Sequence, residues 1–343
     1  MRPERFDGLL ARMEGLRLVV LGDVSLDRYL EIDPAREEIS IETDLPVHNV
    51  TRVRAQAGAA GTVINNLAAL GIGRVDLLSF SGVDGEGFEL LGALKAIPGL
   101  SLDGFHQSET RRTLTYTKPL VIESGAPPRE LNRLDMKNWT PTAPELWAKL
   151  AADLSRIGAS ADGIIFLEQV ELPEVGVMGP PVYQALESVR RSRPQVPVLA
   201  DSRRGLDGYP SLSFKWNRVE FLRAQGLDEG TERAVLESLL SKVARDAGCP
   251  VFVTLAEDGI LGADNAGAVC HRPSIPVRGP IDVVGCGDAV SAALLSVLAA
   301  GGSVTESMEF AMAAASQVLH QLGTTGVPSH QGLRELLVSS STH

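Results

Sequence analysis

Apolar positions along this chain fall into two kinds of pattern. Short continuous runs read as buried strands, and runs at helical spacing read as amphipathic helices. The first strong run is Leu16, Leu18, Val19, Val20 and Leu21, and it stops at Gly22-Asp23. That predicts a buried strand whose C-terminal end delivers polar residues, the place where ligands bind in open α/β sheets. From Gly58 the spacing turns helical through Ala59, Ala60, Val63, Ile64, Leu67, Ala68 and Leu70, closed by Gly71. A strand is predicted over 74–80 and a helix over 86–96, ending near Pro98. From about residue 145 helices alternate with the apolar runs 163–167, 196–200 and 251–254, the pattern of βαβ units around a mostly parallel sheet.

Two stretches depart from that scheme. Residues of about 30–55, with Pro34 and Pro46, and about 107–135 alternate polar and apolar positions without helical periodicity. They predict a small β-sheet lid inserted into one domain covering 1–343, without internal repeats or low-complexity linkers. Unpaired strands in such a lid seek a partner, so a homodimer through it is expected.

The chain has 343 residues, enough to bury a large core without disulfides. Hydrophobic residues make up 44% and charged residues 22%, as in a globular protein. A formal net charge of −11 argues against nucleic-acid or anionic-membrane partners. The local run Arg190, Arg191 and Arg193 reads as a solvated helix end. Cys249, Cys270 and Cys286 are too scattered for a disulfide framework or a CxxC site, and the six histidines show no metal-binding spacing. Neither a signal-peptide core nor an apolar run of about 18 residues is present, so a cytoplasmic location is expected.

The candidate chemistry lies near the C-terminus. Asp282, Val283, Val284, Gly285, Cys286, Gly287 and Asp288 lead into a helix rich in Ala and Leu. Unpaired N–H groups at a helix start form an anion site, and Gly285 and Gly287 let phosphate oxygens approach the backbone. Asp288, in the first turn, is placed to take a proton from a hydroxyl beside that anion. Phosphoryl transfer needs this combination of base and anion hole. On spacing alone, a Gly-rich turn capped by an Asp explains the segment equally well. No Gly-Lys pair occurs, which excludes a Walker loop, and none of the GxG triplets near Gly71, Gly85 and Gly287 completes a dinucleotide fingerprint.

Residues 282–288 resemble the DTxGAGD element of the PfkB (ribokinase-like) carbohydrate kinases, with Cys286 where Ala is usual. Other segments are similar in the same order, from about residue 16 to 328. Gly22, Asp23 and Asp27 look like the family's GDxxxD opening, and Asn217 with Glu220 like its NxxE element. The run Thr254, Leu255, Ala256, Glu257 and Gly259 looks like its TLGxxG loop. Residues 311–326 resemble the helix and loop that border adenine.

The resemblance implies ATP-dependent phosphorylation of a sugar or sugar-phosphate hydroxyl. Asp288 would be the base, and Gly285, Cys286, Gly287 and Asp288 would form the anion hole. Asp23, Asp27, Gly58, Ala59 and Asn66 would bind the acceptor. Asn217, Thr254, Ala256, Glu257, Gly259 and Ala314 would hold ATP, Glu220 would bind Mg²⁺ through water, and Asp282 a monovalent cation such as K⁺.

The opening and the segment Asn132, Arg133, Leu134 and Asp135 look like the heptose-7-phosphate kinase branch. Where that branch has GGAANVAxN, this chain has Gly58, Ala59, Ala60, Gly61, Thr62, Val63, Ile64, Asn65 and Asn66. Where a DYxKG segment is usual, it has Glu168, Gln169, Val170, Glu171 and Leu172. The Lys that could meet a substrate phosphate is missing, which leaves open whether the acceptor carries one. These departures keep two alternatives in view: a catalytically silent sugar- or nucleotide-binding protein, and a nucleoside kinase. Cys286 is expected to be a packed, inert cysteine, with the alternative that a thiol at a helix start can be acidified and readily oxidised.

Overall fold

In a computed structural model, residues 1–203, 205 and 211–338 are described. Helix α1 (Pro3–Met13) precedes strand β1 (Arg17–Gly22), which passes through Asp23 directly into β2 (Val24–Ile32). Short strands β3 (Glu38–Ile39) and β4 (Pro46–Val47) lead to β5 (Val50–Ala59) and α2 (Ala60–Ala69). Next come β6 (Arg74–Gly82), α3 (Gly85–Lys95), β7 (Leu100–Ser108), β8 (Thr115–Val121), β9 (Arg129–Glu130) and β10 (Leu134–Met136). The C-terminal half runs α4 (Pro144–Gly158), β11 (Gly163–Glu168), α5 (Pro180–Ser192), β12 (Val198–Ser202), β13 (Ser213–Asn217), α6 (Arg218–Ala224) and α7 (Arg233–Ala247). It closes with β14 (Val251–Thr254), β15 (Ile260–Ala263), β16 (Val269–Arg272), α8 (Cys286–Ala299), α9 (Val304–Leu319) and α10 (His330–Val338).

Nine strands form one sheet in the order β16-β15-β14-β13-β12-β11-β1-β6-β7. Pairing is parallel from β7 across to β14, and only β15 and β16 run antiparallel. Because successive side chains of a strand point to opposite faces, continuous apolar runs bury both faces of the sheet. Leu18 and Val20 of β1 and Ile165 and Leu167 of β11 pack on the side of α2, α8 and α9. Val19, Leu21, Ile164 and Phe166 pack on the opposite side, against residues of α4, α5 and α7. Strand order reverses around β1, whose neighbours are β6 and β11. A crevice opens beyond the carboxyl ends of strands at such a reversal.

The second sheet has the order β10-β8-β2-β5, with β9 beside β8. It is the small sheet expected from the alternating stretches, but it is mixed, since β2 and β8 run parallel. Its borders also differ from the expected 30–55 and 107–135. β2 begins at Val24 and β5 continues to Ala59, because β1 and α2 hand the chain over without a linker. Residues 107–108 belong instead to β7 of the large sheet. Correspondingly, α2 starts at Ala60 rather than at Gly58. The turn into it is made by Ala59 at φ 53°, where a side chain is tolerated at some cost in strain. Among the described residues no helix is long and apolar enough to cross a membrane.

Candidate active site

The carboxyl ends of β11 to β14 deliver a row of polar residues to one edge of the large sheet. Leu167 is level with Asp201, Glu168 with Ser202, and Asn217 with Thr254. Above them lies a cleft of about 800 Å³, bounded by the small sheet, the 254–259 turn, the start of α8 and one face of α9. Asp27, Ala59, Asn217, Glu220, Thr254, Ala256, Glu257, Gly259, Gly285, Cys286, Gly287 and Asp288 all line it. Most of the expected site residues, spread over some 260 positions of sequence, are thus brought into one cavity.

Gly285 turns the chain into α8 at φ 83°, and Asp288 falls on the third position of the helix. The Cys286 N–H is already taken by the Val283 carbonyl at 3.2 Å. Those of Gly285, Gly287 and Asp288 have no acceptor among the described residues, so the open anion site consists of these three and excludes Cys286. The Asp288 carboxyl is raised to about 7, first by burial and then by the neighbouring Asp201, while Lys215 pulls it down. Asp27 adds to the rise, which places the two carboxyls within electrostatic reach of each other across the cleft. A carboxyl near 7 is poised to exchange protons at neutral pH.

Beneath Asp288 is an ion pair that motif reading missed. Lys215 Nζ donates to Asp201 Oδ2 at 2.5 Å, and Ser291 Oγ donates to the same oxygen at 2.8 Å. Burial works against the charge of Lys215, but Asp201 outweighs it and holds the ammonium above its ordinary value. Nζ lies 3.5 Å from where a Cβ on Gly287 would stand, so its charge sits beside the start of α8. The signal in the sequence was a lysine flanked by Phe214 and Trp216 in a strand otherwise buried. Charged residues are almost never fully buried unless paired.

At the end of the cleft bounded by the small sheet, Asp27 is buried, and burial raises its carboxyl against the opposing pull of Lys118 and Arg133. Gly58 stands opposite Ser25 on β5, and a Cβ there would come within 2.7 Å of the Asp27 carboxylate. Its absent side chain is what lets Asp27 sit in the sheet with its carboxylate in place. Lys118, Arg133 and Arg203 line the same end together with Tyr116 and Gln169. Arg133 also pairs with Asp135 at 2.7 Å and lies over the Tyr116 ring at 4.8 Å.

The other end of the cleft is formed by two elements. Ala256 turns at φ 52° and Gly259 at φ 93°, where a Cβ on Gly259 would strike the Arg272 carbonyl at 2.1 Å. Helix α9 presents Met312, Ala315, Ser316 and Leu319 to the cleft, a stripe at i, i+3, i+4 and i+7. Asn217 and Glu220 cap α6 reciprocally, each accepting the other's backbone N–H at 2.8 Å, while both face the cleft. The group is rich in oxygen donors, as Mg²⁺ requires. Among the described residues no three His, Cys, Asp or Glu side chains converge to hold a metal without help from phosphates and water.

Several expected positions have other surroundings. Asp23 does not line the main cleft. Its buried carboxylate accepts the N–H groups of Gln169, Val170 and Val177, each at 2.9 Å. Burial pushes it up to about 6 in spite of those bonds, and it serves to pin the segment after β11 to the junction of the two sheets. Asn66 lies one turn deeper along α2, fully buried and donating to the Thr62 carbonyl, while Thr62 itself reaches the cleft. Ala314 is fully buried in the core, on the opposite side of α9 from the stripe at the cleft. Asp282 is a brace, accepting the N–H of Val284 at 3.0 Å and of Gly323 at 3.1 Å. Cys286 has the surroundings of an inert thiol. Burial, reinforced by Asp282 and Asp288, pushes its thiol up to about 11 and keeps it protonated.

Comparison with known proteins agrees with this architecture. The bifunctional protein HldE of Rhodospirillum rubrum is 31% identical over 326 residues, covering 94% of this chain and 62% of that protein. The protein of the same name from Azorhizobium caulinodans is 32% identical over 323 residues, covering 93% and 64%. The chain therefore spans less than two thirds of these relatives. Among solved structures, Arabidopsis thaliana ribokinase complexed with ribose and ATP superposes with a TM-score of 0.67 at 20% identity, over 94% of this chain and 98% of the other. Escherichia coli phosphofructokinase-2 in complex with potassium gives 0.72 at 19% identity, over 95% and 99%. Both likenesses show a ribokinase-like fold. Residues 16–331 match the pfkB family of carbohydrate kinases, a span that takes in every described strand of both sheets, and the chain belongs to that family.

Proposed function

We propose that this sugar kinase transfers the γ-phosphoryl group of ATP to a hydroxyl of a sugar phosphate, with Asp288 as the base. The observation that carries the reading is the position of Asp288. Its carboxyl, raised to about 7, sits beside three open amides and shares a cleft with the buried carboxylate of Asp27. In this reading Asp27 holds an acceptor hydroxyl pair and Asp288 removes the proton of the attacking one. The amides of Gly285, Gly287 and Asp288, with Lys215 beside them, stabilise the charge on the equatorial oxygens.

ATP would lie between the 254–259 turn and the stripe of α9 that faces the cleft. Mg²⁺, when bound, supplies positive charge to the phosphates and keeps several waters; Glu220 and Asn217 are the residues that would hold it. The brace at Asp282 would take a monovalent cation such as K⁺. The lysine missing after β11 is offset in space by Lys118, Arg133 and Arg203, whose charges at the acceptor end favour an anionic acceptor.

The test is ATP consumption with Mg²⁺ and K⁺ across sugars, sugar phosphates and nucleosides. Turnover is expected with one or more sugar phosphates, at kcat/KM at least tenfold above the matching free sugars. Preference for free sugars would remove the anionic acceptor, and preference for nucleosides would make this a nucleoside kinase. Binding of ATP or sugar without turnover would leave a silent binding protein.

The outer face of the small sheet carries exposed Val53, Leu134 and Met136, and the adjoining β3–β4 hairpin carries exposed Ile39, Leu45 and Val47. An apolar sheet face of this kind supports a homodimer through the small sheet, which would act as a lid over the acceptor. Sedimentation equilibrium is expected to return twice the 36.5 kDa chain mass, falling to the single mass in Val53→Lys. A wild type that stays monomeric at tens of micromolar would refute it.

A further inference from the structure

Gln56 of β5 stands directly opposite Asp27 of β2 in the register of the small sheet. Its side chain leaves the sheet and reaches the loop that follows α9. Nε2 donates to Thr325 Oγ1 at 2.6 Å, and Oε1 accepts from Thr324 Oγ1 at 3.2 Å. One amide thus uses its donor and its acceptor on two adjacent hydroxyls far away in sequence. The same loop grips the phosphate turn, because Gly323 N–H donates to one oxygen of Asp282 while the other accepts from Val284 N–H. The Thr325 side chain also lies 3.4 Å from where a Cβ on Gly285 would stand, and Thr325 lines the cleft. A continuous line of contacts therefore runs from the strand pair that carries Asp27, through Gln56 and the 323–325 loop, to the turn that forms the anion hole.

We infer that Gln56 is a positioning residue that latches the acceptor-binding sheet to the phosphate-binding turn, fixing where Asp27 holds the acceptor relative to Asp288. The physical reason is geometric. The small sheet joins the rest of the chain at Asp23, at Ala59, and through the segments that precede β8 and follow β10, and these joints leave its tilt over the cleft less constrained than its position. A side-chain bridge on the far side of the cleft removes that freedom. Transfer chemistry is sensitive to it, because displacements of about 1 Å at the reacting atoms cost on the order of a hundredfold in rate.

The kinetic consequence rests on the kinase reading above, whereas the latch itself can be read without turnover. In Gln56→Ala, kcat should fall about tenfold, as expected for the loss of one or two ordinary hydrogen bonds. The KM for the acceptor should rise, and the KM for ATP should stay within twofold. Thr325→Val should behave alike, and the double variant should be no worse than the weaker single one, because both remove one bridge. In parallel, hydrogen exchange on the unliganded proteins should show faster exchange in Gln56→Ala at residues 50–59, at 323–325 and at Val284. A merely structural role would lower the melting temperature and leave the kcat-to-KM pattern untouched. Wild-type exchange in the variant, or losses that multiply in the double variant, would overturn the latch. Should the wild type turn over no acceptor at all, the kinase reading falls while the exchange experiment still decides the latch.

Discussion

Asp288→Asn is expected to lower kcat by about 10²- to 10⁴-fold, the range over which a positioned general base contributes. Asn preserves the size of the side chain and leaves the amides of Gly285, Gly287 and residue 288 where they are, so ATP should bind almost as before. What is lost is the ability to take the hydroxyl proton as the phosphoryl group arrives. The pH profile supplies a second reading of the same residue. Burial and Asp201 raise the carboxyl to about 7, so on the acid side of 7 the group is increasingly protonated and unable to act as a base. The wild-type kcat/KM should therefore rise through pH 6 to 7 and level off above it, being roughly tenfold below its plateau at pH 6. That limb should be absent from the residual activity of Asp288→Asn. A variant that keeps both its rate and the acid limb would show that the proton goes elsewhere.

The second large effect should come from Lys215→Met. Lys215 and Asp201 form a pair whose side chains are only 7% and 14% exposed. Removing one partner of a buried pair leaves an uncompensated charge and costs about 3–5 kcal/mol. The same change should reach the chemistry. Lys215 lowers the Asp288 carboxyl, so without it the acid limb of kcat/KM should move to higher pH. The cation beside the start of α8 is also lost, and kcat should fall at every pH. The double variant Lys215→Met/Asp201→Leu separates these roles. Stability should return to within about 1–2 kcal/mol of the wild type, since well-packed apolar replacements of a buried pair are often neutral. The acid limb should move back down, because Asp201 raises the Asp288 carboxyl and is then gone too. The rate should not recover. A double variant with wild-type kcat would show that the pair serves folding alone; a single variant of unchanged stability would show that the pair is not effectively buried.

Much of the site could be read from the chain because it lies where strands end and helices begin. The turn at 285–288 is visible as small residues followed by an acid and an apolar helix, and the structure puts Asp288 on the first turn of α8. Asn217 and Glu220 are visible as an Asn and a Glu at spacing three, and in α6 they cap the helix reciprocally. Positions further from such boundaries have surroundings that spacing did not reveal. Ala314 and Asn66 belong to helices correctly recognised, but the face of a helix that meets a ligand depends on what packs against the others. On α9 the core takes Ala314 and the cleft takes Ala315 and Ser316. Asp23 is one residue past a strand end, as a ligand-binding aspartate should be. Yet three backbone N–H groups from a segment about 150 positions away claim its carboxylate. At the cysteine at the head of α8 two physical rules compete. A helix start favours the thiolate, but burial beside Asp282 and Asp288 reverses the sign.

What the amino-acid sequence determined by itself is therefore the local part: the parallel α/β order, the alternating strands of the small sheet, the glycine turn at 285–288 and its aspartate. These depend on periodicity and on turn chemistry, which act over a few residues. What the tertiary structure alone decided is which distant groups share a volume. The ion pair of Lys215 with Asp201, the cations gathered at the small-sheet end of the cleft and the bridge from Gln56 to the 323–325 loop all depend on contacts between separate elements. Energies of buried charges and hydrogen bonds are set by the groups and the solvent that surround them in space, and spacing along the chain carries little of that information.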